Sequence, residues 1–401
     1  MKYILLVGDG MADRPLEELG GKTVLEASST KNMDEIASKG KSGLVKTVPQ
    51  GMIPASDVAN LSILGYDPKK YYCGRGPLEA ANMNIDIGET DVAFRCNTVT
   101  VGDDKMIDYS AGHITTKESS VLINYLDEKK ANQNVRFYPG VGYRHLMVVN
   151  CELKKDAQRL NDIKCMAPHD ILEKRISKNL PKGAQSEFLV DIMNRSRTLL
   201  MTHEVNKVRI DLNENPANMI WLWGQGMRPN IPTFKELYNL DGNVISAVDL
   251  VNGMGKIVGL KPIKVPGATG YYDTNYTGKG EYALDALKNS DFIYVHVEAP
   301  DEAGHNGDVR SKMVAIENFD RYVVGTIWNE IKNKNNYRIL VLPDHATPVK
   351  LKTHTQEPVP FALCGTGISA DNTRVYSERA AKSSGLFVKN GYELIKSLIK
   401  K

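Results

Sequence analysis

Asp301 and His305 stand at i, i+4 spacing in Asp301-Glu302-Ala303-Gly304-His305. Asp344-His345 and then His354-Thr355 follow further along the chain. Carboxylates and imidazoles clustered in this way are what a two-metal centre for phosphoryl chemistry needs. Hard oxygen and borderline nitrogen donors hold divalent ions, and two ions together stabilise the entering and leaving oxygens of a displacement. On a helix the Asp301–His305 spacing puts both side chains on one face, within reach of one ion. Alone, that pair reads equally well as an N-cap aspartate and a satisfied histidine. Three such clusters in succession favour the metal.

The flanking residues give these groups their positions. Asp291-Phe292-Ile293-Tyr294-Val295-His296-Val297 is β-branched and aromatic and predicts a strand, which Glu298-Ala299-Pro300 breaks. Asp301 then lies just past the C-terminal end of a strand, where open α/β sheets hold their ligands. Tyr337-Arg338-Ile339-Leu340-Val341-Leu342-Pro343 predicts a second strand, ending in Asp344-His345, whose side chains can lean towards two nearby ions once the backbone turns. Pro358 and Pro360 exclude a helix around His354, so it sits in a loop. Tyr3-Ile4-Leu5-Leu6-Val7 is the near-continuous apolar run of a strand buried on both faces, and Gly8-Asp9-Gly10 follows at once, making Asp9 a third strand-end carboxylate. Gly10-Met11-Ala12-Asp13 does not continue into a dinucleotide-binding fingerprint. Ser56, after Pro54-Ala55, opens a helix whose positive end favours an alkoxide and an incoming phosphate. Beside a divalent ion its hydroxyl loses its proton more readily and can attack phosphorus.

With these residues in view the chain resembles the cofactor-independent phosphoglycerate mutases of the archaeal type, within the alkaline phosphatase superfamily. The likeness runs nearly end to end. It is carried by Gly8-Asp9-Gly10-Met11-Ala12-Asp13, by Ser56-Asp57-Val58-Ala59-Asn60-Leu61-Ser62-Ile63-Leu64-Gly65-Tyr66-Asp67-Pro68, and by Gly74-Arg75-Gly76-Pro77-Leu78-Glu79-Ala80. Trp221-Leu222-Trp223-Gly224-Gln225-Gly226, Gly267-Ala268-Thr269-Gly270-Tyr271-Tyr272-Asp273-Thr274-Asn275 and the three acid and histidine clusters complete it.

The resemblance implies that Asp9, Ser56, Asp344 and His345 bind one ion and that Asp301, His305 and His354 bind the other. It makes Ser56 the phosphorylated nucleophile. It implies two divalent ions, manganese in the first place, with magnesium, cobalt or zinc as substitutes. Neither ATP nor a bisphosphoglycerate is required. The substrate class is a phosphorylated sugar acid, 3-phosphoglycerate converted to 2-phosphoglycerate in glycolysis and gluconeogenesis. By position in the matched pattern, Arg75, Arg144, His113 and Lys256 are its binding residues, with Arg136 a weaker candidate; Arg suits bidentate grips on phosphate and carboxylate. Two other activities fit the same residues: a metal-dependent phosphatase with water as acceptor, and a small-molecule kinase of the homoserine kinase type. The chain lacks a Gly-x-x-x-x-Gly-Lys-Ser/Thr loop, which weighs against ATP.

Composition is that of an ordinary globular enzyme: 42% hydrophobic and 25% charged residues among 401, with a net charge of +3. That charge, without basic clusters interleaved with aromatics, gives no case for nucleic acid. The sequence has no apolar run long enough for a transmembrane helix and enters its first strand without an apolar leader. Five scattered cysteines form neither a disulfide framework nor a zinc motif, as expected of a reduced, cytoplasmic protein.

Alternating strands (Asn243–Val248, Phe292–Val297) and helices (Gly280–Lys288, Arg310–Asn333) predict an α/β fold with a parallel-dominated sheet flanked by helices. Between them, Val92–Val101 alternates like a half-exposed strand, Val135–Tyr138 and His145–Val149 predict two more, and Glu187–Leu200 predicts a helix. The expected organisation is an alkaline-phosphatase-like core of residues 1–88 and 217–401, with an inserted smaller α+β cap domain, 89–216, that keeps water off the phosphoserine.

Overall fold

The computed structural model describes residues 1–130 and 132–399. The chain forms two compact units, Met1–Tyr72 with Ile231–Lys401, and Cys73–Asn230 between them. The expected junctions at 88/89 and 216/217 therefore move outward. Helix Arg75–Asn82 packs on strands Asp91–Gly102 and Met219–Met227, and those two strands pair with each other, so all three belong to the inserted unit.

The first unit is built on an eight-stranded sheet. Its order is Phe387–Val388, Lys41–Val45, Val359–Gly365, Tyr337–Leu342, Lys2–Gly8, Phe292–Val297, Gly242–Ile245, Lys261–Pro262. Every strand but Val359–Gly365 runs in one direction. The central strands are buried along nearly their whole length, because helices cover both faces. The register sets the site: Gly8 lies opposite Val297 and Val7 opposite Leu342, so three adjacent strands end level with one another.

One expected helix, Arg310–Asn333, is three pieces. Val309–Asn318 and Gly325–Ile331 are α-helical, and Phe319–Val324 between them is a π-turn. The widened turn presents the buried carboxylate of Asp320 to the start of helix Lys31–Lys39, whose own N-cap, Thr30, makes no side-chain cap bond. Asp320 accepts from the amides of Asn32 (3.1 Å) and Met33 (2.7 Å) and so caps that helix from across the core.

Glu378, partly buried, is another acid of this unit with tertiary partners. It accepts from the Asp13 amide (3.1 Å) and the Thr23 hydroxyl (2.7 Å), yet burial pushes its pKa from about 4.5 up to about 7. Because the folded-state value is the raised one, this contribution to stability is present below pH 4.5 and is lost as pH rises through 7. Glu378→Gln removes the titration. Its stability relative to the natural chain should therefore rise by on the order of 3 kcal/mol between pH 4.5 and 8. Urea unfolding of both proteins across that range checks this, and parallel curves would refute it.

The inserted unit is antiparallel. Asp91–Gly102 pairs with Lys105–Asp108, with Arg144–Asn150 and with Met219–Met227, and Val135–Val141 pairs with Arg144–Asn150. Asp91–Gly102 is not the half-exposed strand its alternation predicts, since residues 92–101 are all buried. Val92, Phe94 and Cys96 enter the main core of the unit, while Ala93 enters a second, smaller one with Ala80, Leu146 and Val148 under helix Arg75–Asn82. Of this strand only Ala93 belongs to that second core. Among the described residues no helix is long and apolar enough to cross a membrane.

Candidate active site

The loops after strands Lys2–Gly8 and Tyr337–Leu342 leave the level strand ends and are tied to each other by backbone. Met11 and Ala12 bridge to Ala346, Ala346 bridges to Thr355, and the Thr347 amide donates to the Ala12 carbonyl (3.2 Å). The loop after the first strand lies tight against helix Ala299–Asn306. Gly10 has φ +59°, and a Cβ there would fall 2.4 Å from Asp301 Oδ1 and 2.8 Å from its Cα, so only glycine fits. Pro300 sits in the first turn of that helix, where its missing N–H costs nothing, so the residue expected to break the strand also starts the helix that carries Asp301 and His305.

Behind the loops lies Lys312, fully buried. It donates to Asp13 Oδ2 (2.8 Å) and to the carbonyls of Thr347 (2.8 Å) and Ala12 (3.1 Å), so all three ammonium protons are used. Lys312→Met leaves the Asp13 carboxylate buried without its cation. The expected cost is about 3–5 kcal/mol, with loss of activity as the loops loosen. A denaturation midpoint within 1 kcal/mol of the natural chain's, a limit set against that estimate, would overturn this role.

All seven expected ligand residues converge here. Asp301, His305 and His354 form one group, Asp9, Asp301 and His345 a second, and Asp9, His296 and Asp344 a third; within each, one ligand atom per residue lies within 4.8 Å of the others. Asp301 Oδ2 is 3.1 Å from His305 Nε2, Asp301 Oδ1 is 3.5 Å from His354 Nε2, and the two Nε2 atoms are 2.8 Å apart. His305 Nδ1 donates to the Lys352 carbonyl (3.0 Å) and His354 Nδ1 to the Pro54 carbonyl (3.3 Å). Carbonyl partners fix both rings so that Nε2 faces the carboxylate.

On the other side, His345 Nε2 lies 3.2 Å from Ser56 Oγ, 3.5 Å from Asp9 Oδ1 and 3.4 Å from Asp344 Oδ2. Thr347 Oγ1 gives its proton to Asp301 and sits 3.2 Å from His345 Nδ1, whose N–H it can accept. Asp344 is held by the amides of Gly10 (3.1 Å) and His345 (2.9 Å) and by Asn60 Nδ2 (2.9 Å). Ser56 is the first residue of helix Ser56–Ile63, after Ala55 as N-cap, and is partly exposed among buried neighbours.

The electrostatics suit cations. Burial, together with the charges of Asp344, Asp301 and Glu298, raises the pKa of Asp9 well above the carboxylate range. Burial also raises Glu298, with Asp301 and Glu302 adding to it. Asp301 goes the other way: burial would raise it, but hydrogen bonds from His305 and His354 hold it well below its ordinary value. The bond to Asp301 lifts His305 to about 9. Both Asp9 oxygens are buried without a hydrogen-bond donor. Orphaned carboxylate oxygens beside convergent imidazole nitrogens are the donor set of a divalent-ion site, and the residues fit such ions.

Sequence reasoning missed His296 and Glu298. The signal was present, an imidazole and an acid at the end of an otherwise apolar strand, since a buried polar side chain there needs a partner.

In the inserted unit a cationic group surrounds Trp223. Arg75 and Arg95 lie over its ring, at 5.5 and 4.7 Å, and His169 meets it edge-on at 5.2 Å. Arg95 is buried and pairs with Glu79 at 3.3 Å; burial, and then the charges of Arg75 and Arg144, lower its pKa. Of the expected substrate-binding residues, Arg75 lies in this group, while Arg144 lies over the Tyr143 ring at 5.8 Å; Arg95 and His169 were not expected. His113 sits exposed in a turn with φ 52°, Arg136 pairs with Asp127 at 3.4 Å, and Lys256 lies half-buried on helix Asp249–Ile257 of the other unit.

A partly exposed serine among carboxylates and imidazoles, at the C-terminal edge of a parallel sheet, is a constellation suited to phosphoryl transfer. A family model for 2,3-bisphosphoglycerate-independent phosphoglycerate mutase matches residues 37–206. The 2,3-bisphosphoglycerate-independent phosphoglycerate mutase of Methanothrix thermoacetophila is 51% identical over 400 residues, covering all of both chains. Among solved structures, a Pyrococcus horikoshii protein is similar at TM-score 0.85 and 28% identity, over 100% of this chain and 98% of that one. The cofactor-independent phosphoglycerate mutase of Thermoplasma acidophilum is similar at TM-score 0.68 and 27% identity, over 99% of both. The chain belongs to the 2,3-bisphosphoglycerate-independent phosphoglycerate mutase family and is an enzyme of the isomerase class.

Proposed function

We propose that this enzyme interconverts 3-phosphoglycerate and 2-phosphoglycerate through a phosphoserine at Ser56, with two divalent ions, manganese in the first place. The observation that carries this reading is the partly exposed Ser56, whose Oγ is 3.2 Å from His345 Nε2 in the Asp9–Asp301–His345 cluster. Asp9, Ser56, Asp344 and His345 hold one ion, and Asp301, His305 and His354 the other. When bound, the ions lower the pKa of the Ser56 hydroxyl and neutralise charge on the transferring group. Ser56 Oγ forms a bond to phosphorus as the bond to the C3 oxygen of the substrate breaks. The serine proton is balanced on the departing hydroxyl. Glycerate stays bound, turns, and its C2 hydroxyl takes the phosphoryl group back from Ser56 with the reverse proton balance. No phosphoryl group enters or leaves, so neither ATP nor a bisphosphoglycerate takes part.

Arg75 and Arg144 grip the anionic ends of the substrate, with His113 and Lys256 as further contacts. Arg75→Ala and Arg144→Ala should each raise KM roughly tenfold to hundredfold, the worth of a hydrogen bond to a charged group, with metal content unchanged. Unchanged KM in both variants would remove them from the site.

The test of the activity is phosphorus NMR of purified protein with 3-phosphoglycerate and Mn²⁺ alone. A 2-phosphoglycerate signal growing to equilibrium is the expected result. Inorganic phosphate as sole product would make the enzyme a hydrolase, and an unchanged spectrum from metal-loaded protein would sink the mutase reading.

A further inference from the structure

His296 lies in the core strand Phe292–Val297, opposite Val7 in the register, and is fully buried. Its Nε2 is 3.0 Å from Asp9 Oδ2 and within 4.8 Å of an Asp344 oxygen. A donated proton would make that first contact a hydrogen bond, but the two atoms are not aligned for one. His296 Nε2 and both Asp9 oxygens are left without a partner in a site closed to solvent. Stranded buried polar atoms are costly, and a carboxylate and an imidazole nitrogen stranded 3.0 Å apart indicate a shared ligand. The opposite ring atom has an orienting partner: Nδ1 is 3.3 Å from Ser246 Oγ, which itself accepts the Val248 amide (3.0 Å). A ring that gives its Nδ1 proton to a neighbour presents Nε2 as a lone pair, the arrangement metal-binding histidines use.

Building on the two-ion reading above, we propose that His296 is a further ligand of the ion held by Asp9 and Asp344, oriented by Ser246. Asp9 is then the carboxylate shared between two histidines. Its Oδ1 faces His345 and the nucleophile, and its Oδ2 faces His296 behind them. His296 fixes how deeply that ion sits without itself meeting the substrate side.

The test is Mn²⁺ titration by calorimetry and by electron paramagnetic resonance on four proteins: the natural chain, His296→Gln, Ser246→Ala and Asp301→Asn. The expected result is a loss of roughly tenfold to hundredfold in the affinity of one ion in His296→Gln, with the other ion unchanged. Ser246→Ala should show a smaller loss of the same ion, and Asp301→Asn should weaken the other one. Melting temperatures in chelator report folding separately, and if His296→Gln does not fold, Ser246→Ala decides. Two ions bound with natural affinities in the folded variants would overturn the assignment and leave His296 a packing residue. A natural chain that binds no Mn²⁺ would instead overturn the two-ion reading on which it rests.

Discussion

Ser56→Ala should lower kcat by at least about 10⁴, because removal of a covalent nucleophile costs that order or more where no other group can carry the transferred phosphoryl. Water cannot substitute, since a phosphoryl group passed to water leaves as inorganic phosphate and yields no isomer. The fold should not suffer. Ser56 is partly exposed, and its one hydroxyl contact is with His345, while the Asn60 bond uses its backbone carbonyl. The ion of Asp301, His305 and His354 should still bind, because none of its donors is touched. The measurements are isomerase turnover, the thermal melt, and peptide mapping of quenched natural enzyme for one phosphoryl group on the Ser56 peptide. Activity above a hundredth of the natural value, set against that expected loss, would rule out the phosphoserine route.

The convergence of the strand-end acids was legible because parallel strands buried on both faces read as unbroken apolar runs, and the first polar residue after each run falls at the sheet edge. Asp9 and Asp344 are of this kind, while Asp301 follows Glu298 on the helix that Pro300 helps to start. Ser56 was legible from the Pro54-Ala55 entry to its helix. His296 and Glu298 carried a signal, polar groups at the end of an apolar strand, but strand position alone does not say which partner they face. Thr347 and Lys312 act on Asp301 and Asp13 through tertiary contacts that no local spacing encodes. The unit junctions moved because strand Met219–Met227 reads as core when met in sequence, while its pairing partner Asp91–Gly102 lies far back in the chain. The π-turn at Phe319–Val324 was hidden inside a helical pattern for a different reason. It carries the buried Asp320 that caps a distant helix, a tertiary contact that local spacing does not encode.

Metal removal has the other large effect. Asp9, Asp301, Asp344 and Glu298 crowd one buried region, and without divalent cations the site balances itself with protons. Burial and its acidic neighbours keep Asp9 protonated above the usual carboxylate range, and Asp301 holds a proton on His305 up to about 9. An ion must displace the His305 proton, so Mn²⁺ binding near pH 7 should release protons, visible as a calorimetric enthalpy that scales with the ionisation enthalpy of the buffer. The raised His305 pKa gives the metal-free protein a contribution to stability that is present below pH 6.5 and lost as pH rises through 9. Ions replace that contribution, so the loaded protein should not follow this decline. Each ion present at a hundredfold excess over its dissociation constant adds about 2.7 kcal/mol, so two add about 5 kcal/mol and several degrees in melting temperature. Chelator should abolish isomerase activity and Mn²⁺ should restore it. Turnover that persists in chelator, with a melting temperature indifferent to Mn²⁺, would mean that the converging carboxylates and imidazoles are a buried proton network and that the phosphoryl transfer proceeds without ions.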